Sequence, residues 1–113
     1  KGEREIGQRI IEQTGSKLML LIDRMKALIP PKDLEGYHEK ILETHEHRKK
    51  ANDAFLEGDS DVASRYSLMS MTVEAEGIEE LRRVYLEKGA PQEGIDALDN
   101  VIADYMSQIN EAR

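Results

Sequence analysis

Three histidines, His38, His45 and His47, lie near the middle of the chain. Histidine is the commonest protein ligand for transition metals, so the spacing of these residues bears on metal binding. On one helix, however, His38 and His45 would stand two turns and about 10 Å apart, too far to hold one ion directly. Glu35-x-x-His38 matches half of a carboxylate di-metal signature, but no second copy follows, because His47 is the last histidine. We therefore expect no metal and no other cofactor.

A second pair of metal-ligating types is Glu43 and His47, four residues apart on the same predicted helix. Helical geometry places both side chains well away from the apolar stripe that contains Ile41. We therefore expect a solvated face here, on which a metal would bind only weakly.

The same helix carries a polar patch formed by His45, Arg48 and Asn52, which interrupts an otherwise apolar inward stripe. Folding the neighbouring helices back on this one brings Tyr66 and Tyr105 to the same level. A buried arginine is costly unless it is paired, and Glu12 and Glu74 are the candidate partners.

Three interpretations of this patch stay open. Arg48 could extend its guanidinium into water from the edge of the core. It could belong to an internal network that fixes helix register. The third interpretation is a pocket for a small anion. Its residues would be His45, Arg48, Asn52, Tyr66 and Tyr105.

Four amphipathic segments would position these residues, and the sequence predicts helices at about 3–29, 32–57, 60–88 and 91–111. Pro30-Pro31 ends the first helix, because proline cannot donate a hydrogen bond and disfavours helical geometry in the preceding residue. Gly58-Asp59 and Gly89-Ala90-Pro91 separate the remaining helices. Because all three connections are short, we predict one all-α domain over residues 1–113, an up-down-up-down antiparallel four-helix bundle.

Apolar residues recur at helical spacing in each segment. The stripe of helix 3 rotates after Gly77, so we expect either a bend there or two halves that face different neighbours. Leu68 and Met71 lie opposite the first part of that stripe and would mark a contact with a partner or a second copy if exposed. The predicted inward positions of helices 1, 2 and 4 are Ile11, Thr14, Leu18, Leu21, Ile22, Met25, Leu28 and Ile29; Leu34, Tyr37, Ile41 and Phe55; and Ile95, Leu98, Ile102, Tyr105 and Ile109.

The net charge of −7 is spread unevenly over the 113 residues. Residues 1–31 carry six basic and four acidic side chains, a local charge of +2, whereas residues 89–113 carry one basic and five acidic side chains. An acidic surface repels phosphate backbones and anionic lipid, so we expect neither nucleic acid nor a membrane surface as partner. The longest apolar run, residues 18–22, is far shorter than the roughly 20 residues that a membrane-spanning helix needs.

The absence of cysteine excludes disulfides, thiolate metal sites and a cysteine nucleophile, but is compatible with any compartment. The sequence begins at Lys1 without a methionine, as a trimmed fragment or a mature form would. The segment Pro30-Pro31-x-x-Leu34-x-x-x-His38, followed by Phe55-Leu56-x-Gly58-Asp59, resembles helical-bundle modules of bacterial extracytoplasmic lipoproteins of uncharacterised function. The resemblance implies an extracytoplasmic or secreted protein, although a cytoplasmic location stays open.

We therefore expect a non-enzymatic interaction or accessory domain with a protein partner or a second copy of itself. The alternative is a sensory bundle that binds a small anion at the level of Arg48.

Overall fold

The computed structural model describes residues 2–113 and contains four α-helices and no strand within that range. They are α1 (Gly2–Ala27), α2 (Glu35–Leu56), α3 (Ser60–Glu87) and α4 (Gln92–Ala112), and a short 3₁₀ turn over Lys32–Leu34 precedes α2. The predicted all-α four-helix bundle is therefore confirmed. The helix ends lie within three residues of the predicted ones.

The predicted turn residues act as expected. Gly58 and Gly89 have positive φ values of 82° and 69°, the left-handed conformation that glycine adopts readily after a helix. Asp59 caps α3, because its carboxylate accepts a hydrogen bond of 3.1 Å from the backbone N–H of Val62. These three residues account for the start of α3 and for the ends of α2 and α3.

Consecutive helices pack side by side in opposite directions, as pairs of neighbouring residues show. Gly15 of α1 lies against Asn52 of α2, whereas Met25 and Tyr37 line one cleft near the connecting turn. Arg82 of α3 binds Asp99 of α4, and Glu74, earlier in α3, bonds to the later Tyr105. Helices α2 and α3 are also antiparallel, because Gly36 lies beside Glu80 and Lys40 donates a hydrogen bond to Glu76.

The interior between α2 and α3 is built largely from small side chains, which allow the two helices to approach closely. A Cβ atom on Gly77 would lie 3.0 Å from Cβ of Lys40. α3 is continuous through Gly77, so no break absorbs the predicted rotation, and α3 instead packs against α2 and α4 together. The buried apolar residues are Ile22, Ala51, Ala54, Ala63, Val73, Ala75, Val84, Ile95 and Ile109.

One side of the bundle is open. Across the described residues, no Cα atom of α1 comes within 8 Å of α3 or α4, so α1 is held only by α2. The molecule measures 55 × 34 × 21 Å, with a radius of gyration of 16.3 Å. A compact domain of 100 residues has a radius of gyration of about 13 Å, so the helices are arranged loosely for the length of the chain.

Several residues that were predicted to lie in the core are exposed instead. Leu21, Leu28, Ile29 and Phe55 were expected inside, but all four are exposed. Leu21 and Phe55 lie on helices as predicted, but no neighbouring helix covers them, whereas Leu28 and Ile29 follow the end of α1 at Ala27. Conversely, Leu68 and Met71 are both half-buried, because α3 is flanked by helices on two sides. The expected contact surface on α3 is therefore largely covered.

Candidate functional site

A three-residue hydrogen-bonded group links the middle of three helices. The Arg48 guanidinium donates from Nη2 to both carboxylate oxygens of Glu74, at 2.8 and 3.2 Å. The Tyr105 hydroxyl donates to Oε1 of the same carboxylate. Glu74 was one of the two carboxylates predicted to pair with Arg48, and it joins α2, α3 and α4 at one level.

Burial within this group is uneven. The Glu74 side chain is only 12% exposed, whereas Arg48 is 39% exposed and keeps part of its guanidinium in water. Two of the predicted interpretations therefore apply together. The Arg48 guanidinium is partly in solvent, and it also forms hydrogen bonds within an internal network. Removal of the arginine would leave a largely buried carboxylate with one remaining donor.

Burial raises the pKa of Tyr105, and its hydrogen bond to Glu74 raises that pKa further. Burial also lowers the pKa of His45, with help from the nearby Arg48 cation, while Glu74 partly offsets the effect. His45 is thus held mainly in its neutral form at neutral pH. The structure therefore brings together His45, Arg48 and Tyr105 around Glu74.

A cleft of about 450 Å³ separates α1 from the α2–α3 pair beside this group. Arg48 and Asn52 form part of one wall, and Thr14 forms part of the other. Most of the lining is apolar, from Ile11, Leu18, Ala51, Phe55 and Ala63. Nδ2 of Asn52 is buried against Gly15 and has no hydrogen-bond partner within residues 2–113.

Tyr66 contacts a different group of side chains. Its ring stacks on that of His47, with centroids 6.1 Å apart, and the Lys50 ammonium lies 5.6 Å from its ring centroid. His47 is only 12% exposed, so the prediction that it lies on a solvated face is wrong. The reason is that α3 supplies Tyr66 as a cover, which the position of His47 on its own helix does not reveal.

The Glu43–His47 pair is present, with Oε1 and Nε2 3.4 Å apart. No cluster of three metal-ligating side chains occurs among residues 2–113. A two-residue pair at this distance acts as an ion pair when the histidine is protonated.

A surface on α1 was not predicted as a site. It consists of exposed residues that lie on one arc at helical spacing, and we call it the outer face of α1: Glu3, Ile6, Ile10, Lys17, Leu21 and Arg24, with Leu28 directly beyond the end of the helix. Their spacing of three, four and seven residues places them within about 60° of each other. Ile6, Ile10 and Leu28 are each 57–62% exposed. The apolar members form two groups, Ile6 with Ile10 and Leu21 with Leu28, and Lys17 lies between the groups.

The cations of the outer face have no acidic partner in the described part of the chain. Lys17 and Arg24 have no carboxylate within 4 Å, whereas Arg48 and Arg82 each have one and Arg83 has two. The acidic residues Glu12 and Asp23 lie on the opposite side of the helix, at roughly 120° or more from the centre of the face, whereas Glu3 lies on the face itself. The outer face therefore combines apolar side chains with two cations and, at its N-terminal end, the carboxylate of Glu3. Its second stripe at helical spacing was the sequence signal that could have revealed it.

Comparison of the chain with family models, curated proteins and solved structures finds no match. Within residues 2–113, every helix is too short or too polar to cross a membrane.

Proposed function

We propose that this chain is a non-enzymatic protein-interaction domain that binds a partner helix along the outer face of α1. The observation that supports this most directly is the apolar arc of Ile6, Ile10, Leu21 and Leu28, left exposed because α4 does not reach α1. In a closed bundle such an arc would be buried by a fourth helix. A partner helix that lies beside α1 would bury it in the same way.

The sensory alternative has weaker support from the geometry. Arg48 is the cation that would hold a small anion, but it already binds the Glu74 carboxylate through two hydrogen bonds. An incoming anion would have to displace a largely buried carboxylate and leave it near another negative charge. The adjacent cleft is mostly apolar, which also favours a nonpolar occupant. The extracytoplasmic location implied by the lipoprotein resemblance stays a prediction.

The proposed function can be tested with a model ligand. A fluorescently labelled amphipathic peptide, with leucine along one face and glutamine beside it, is titrated with the full chain at nanomolar peptide concentration. Fluorescence anisotropy reports binding. We expect saturable binding, and Ile10→Ser should weaken it by about tenfold, because it removes an exposed apolar side chain from the contact.

Leu86→Ser is the matched control. Leu86 lies on α3 and is 53% exposed, close to the 57% of Ile10, but it does not belong to the outer face of α1. Neither substitution should alter the helical circular dichroism spectrum. Equal losses of binding in the two variants would contradict the proposed function, as would no binding of the peptide by the unmodified chain.

A further inference from the structure

We infer that the partner helix is α1 of a second copy of this chain, packed antiparallel so that Glu3 of each copy pairs with Arg24 of the other. The inference rests on the proposed function and specifies its partner. Its basis is the order of residue types along the outer face of α1, which matches the same face taken in the opposite direction.

The positions on the outer face are symmetric about a point between Gln13 and Thr14. From Glu3 to Arg24, the intervals between successive residues of the face are three, four, seven, four and three. This series is the same in both directions along the helix. Two α1 helices related by a twofold axis at that point would therefore place each residue of the face opposite a residue of the other copy.

The inner positions of the face are matched in chemistry as well as in spacing. Ile6 of one copy would face Leu21 of the other, so two exposed apolar side chains would cover each other. Ile10 would face Lys17, whose methylene groups can lie on an apolar side chain while the ammonium stays in water. The twofold axis repeats each contact, so the interface contains every pair twice.

The outer positions of the face carry opposite charges. Glu3 and Arg24 are both exposed, and neither forms an ion pair within residues 2–113. They lie about 32 Å apart along one helix and cannot pair within a chain. Antiparallel packing would bring them together at both ends of the interface. Exposed ion pairs add little affinity, so their main effect is to select the direction and register of the two helices.

Other arrangements of two α1 helices place like charges together. In a parallel pair, Glu3, Lys17 and Arg24 would each face the same residue of the other copy. An antiparallel pair about a twofold axis at Lys17 would place Ile6 opposite Leu28, but the two Lys17 ammonium groups would meet. Like charges in contact oppose association, so the register about residues 13 and 14 is favoured.

The surroundings of α1 leave room for a second helix. Gly15 and Ile22, the buried residues of α1, lie roughly 140° around the helix from the centre of the outer face, so α2 does not obstruct it. The helices α3 and α4 do not reach α1. A partner of unrelated sequence would not require the face to match itself. The match therefore favours a second copy over another protein.

Sedimentation equilibrium of the full chain, from about 1 μM to 1 mM, provides the test. We expect a reversible monomer–dimer equilibrium. Arg24→Glu should raise the dimer dissociation constant about tenfold, because it places two carboxylates together at each end of the interface, and Glu3→Arg should act similarly. The double variant Glu3→Arg, Arg24→Glu should restore dimerisation, because it exchanges the charges and keeps every pair opposite in sign.

Lys26→Glu is the matched control for net charge. Lys26 is exposed and lies in the same last turn of α1 as Arg24, but roughly 170° from the centre of the outer face. The substitution changes the charge by the same amount and should leave the dimer dissociation constant nearly unchanged.

Cross-linking tests the direction of the two helices. The chain has no cysteine, so Ile6→Cys and Leu21→Cys each introduce a single thiol. A short thiol-reactive cross-linker should join the two variants when they are mixed, because positions 6 and 21 would face each other. Neither variant should be joined efficiently to itself. A parallel dimer would give the reverse result and overturn the inference.

The outcomes separate this inference from the proposed function. If the chain stays monomeric throughout the concentration range but binds the leucine and glutamine peptide, the second copy is overturned and the proposed function stands. If it neither dimerises nor binds the peptide, both fail. A dimer that Arg24→Glu leaves intact, or that the charge exchange does not restore, would overturn the pairing of Glu3 with Arg24.

Discussion

Gly15 of α1 lies so close to Asn52 of α2 that a Cβ atom at position 15 would stand 2.6 Å from Nδ2 of Asn52. α1 contacts the rest of the bundle only through α2, so this close approach lies in the interface that holds it. A side chain at Gly15 would therefore require the Asn52 amide to move.

The Gly15–Asn52 contact predicts a coupling between two substitutions. Alanine is favoured over glycine within a helix by about 1 kcal/mol, so Gly15→Ala should stabilise α1 wherever space permits. In the unmodified chain the clash with Asn52 should cancel or reverse this gain. In an Asn52→Ala background the gain should be recovered.

Urea denaturation of the four proteins in this cycle gives the coupling free energy, which we expect to be about 0.5–2 kcal/mol. Gly7→Ala is the matched control, because a Cβ atom at Gly7 would meet nothing within 4 Å. If Gly15→Ala changed the free energy of unfolding equally with and without Asn52, the result would show that α1 and α2 move apart at this point at no cost.

A second prediction concerns the carboxylate shared by α2, α3 and α4. Glu74→Ala removes the acceptor of both Arg48 and Tyr105 and should lower the free energy of unfolding by about 1–3 kcal/mol. Glu76→Ala, two positions along the same helix, removes an exposed ion pair with Lys40 and should cost less than about 0.5 kcal/mol. Chemical denaturation of both variants would measure the contrast, and equal costs would mean that the buried network adds no stability.

The helices and their turns could be predicted from sequence because local chemistry determines them. Pro30-Pro31 and Gly58-Asp59 restrict the backbone directly, whatever surrounds them. The pairing of Arg48 was also predictable to within two candidates. A cation at the level of the core needs a carboxylate, and Glu74 was one of the two considered.

The wrong predictions concern features that local chemistry does not determine. They depend on which helix covers which face of its neighbours. Periodicity identified Leu21 as part of an apolar stripe, but it could not show that α4 would stay out of reach. Likewise, His47 lies away from Ile41 on its own helix, yet Tyr66 covers it from α3. The prediction that Tyr66 lies with Arg48 was wrong in the same way. Residues at one level of a bundle can still face different neighbours.

A third prediction follows from the lowered pKa of His45. The folded chain disfavours the protonated form, mainly through burial and also through the Arg48 cation. Above pH 6.5, the pKa of histidine in the unfolded chain, His45 is mainly neutral in both states and the free energy of unfolding has its full value. Below that pH, the unfolded chain takes up the proton more readily than the folded chain, so the free energy of unfolding falls. His45→Gln should therefore reduce the loss of unfolding free energy between about pH 7.5 and 5.5.

Urea denaturation at several pH values within this window would measure the slope for each protein. Glutamine retains a polar side chain of similar size and cannot titrate. A slope that is unchanged in His45→Gln would show that this histidine is equally protonated in the folded and unfolded chain, which would contradict its burial beside Arg48.

The last prediction tests whether α4 is docked as firmly as its burial indicates. Ile109 is only 2% exposed, and Ile109→Ala should lower the free energy of unfolding by about 2–5 kcal/mol, because it removes buried methyl groups and leaves a cavity. Ile102, on the same stripe, is half-buried, so Ile102→Ala should cost less than Ile109→Ala. Val101→Ala, at an exposed position, should change stability by less than about 0.5 kcal/mol. Thermal and urea denaturation would rank the three variants. If Ile109→Ala cost no more than Val101→Ala, α4 would not be held against the bundle, and the Tyr105 bond to Glu74 could not form a stable link to α3.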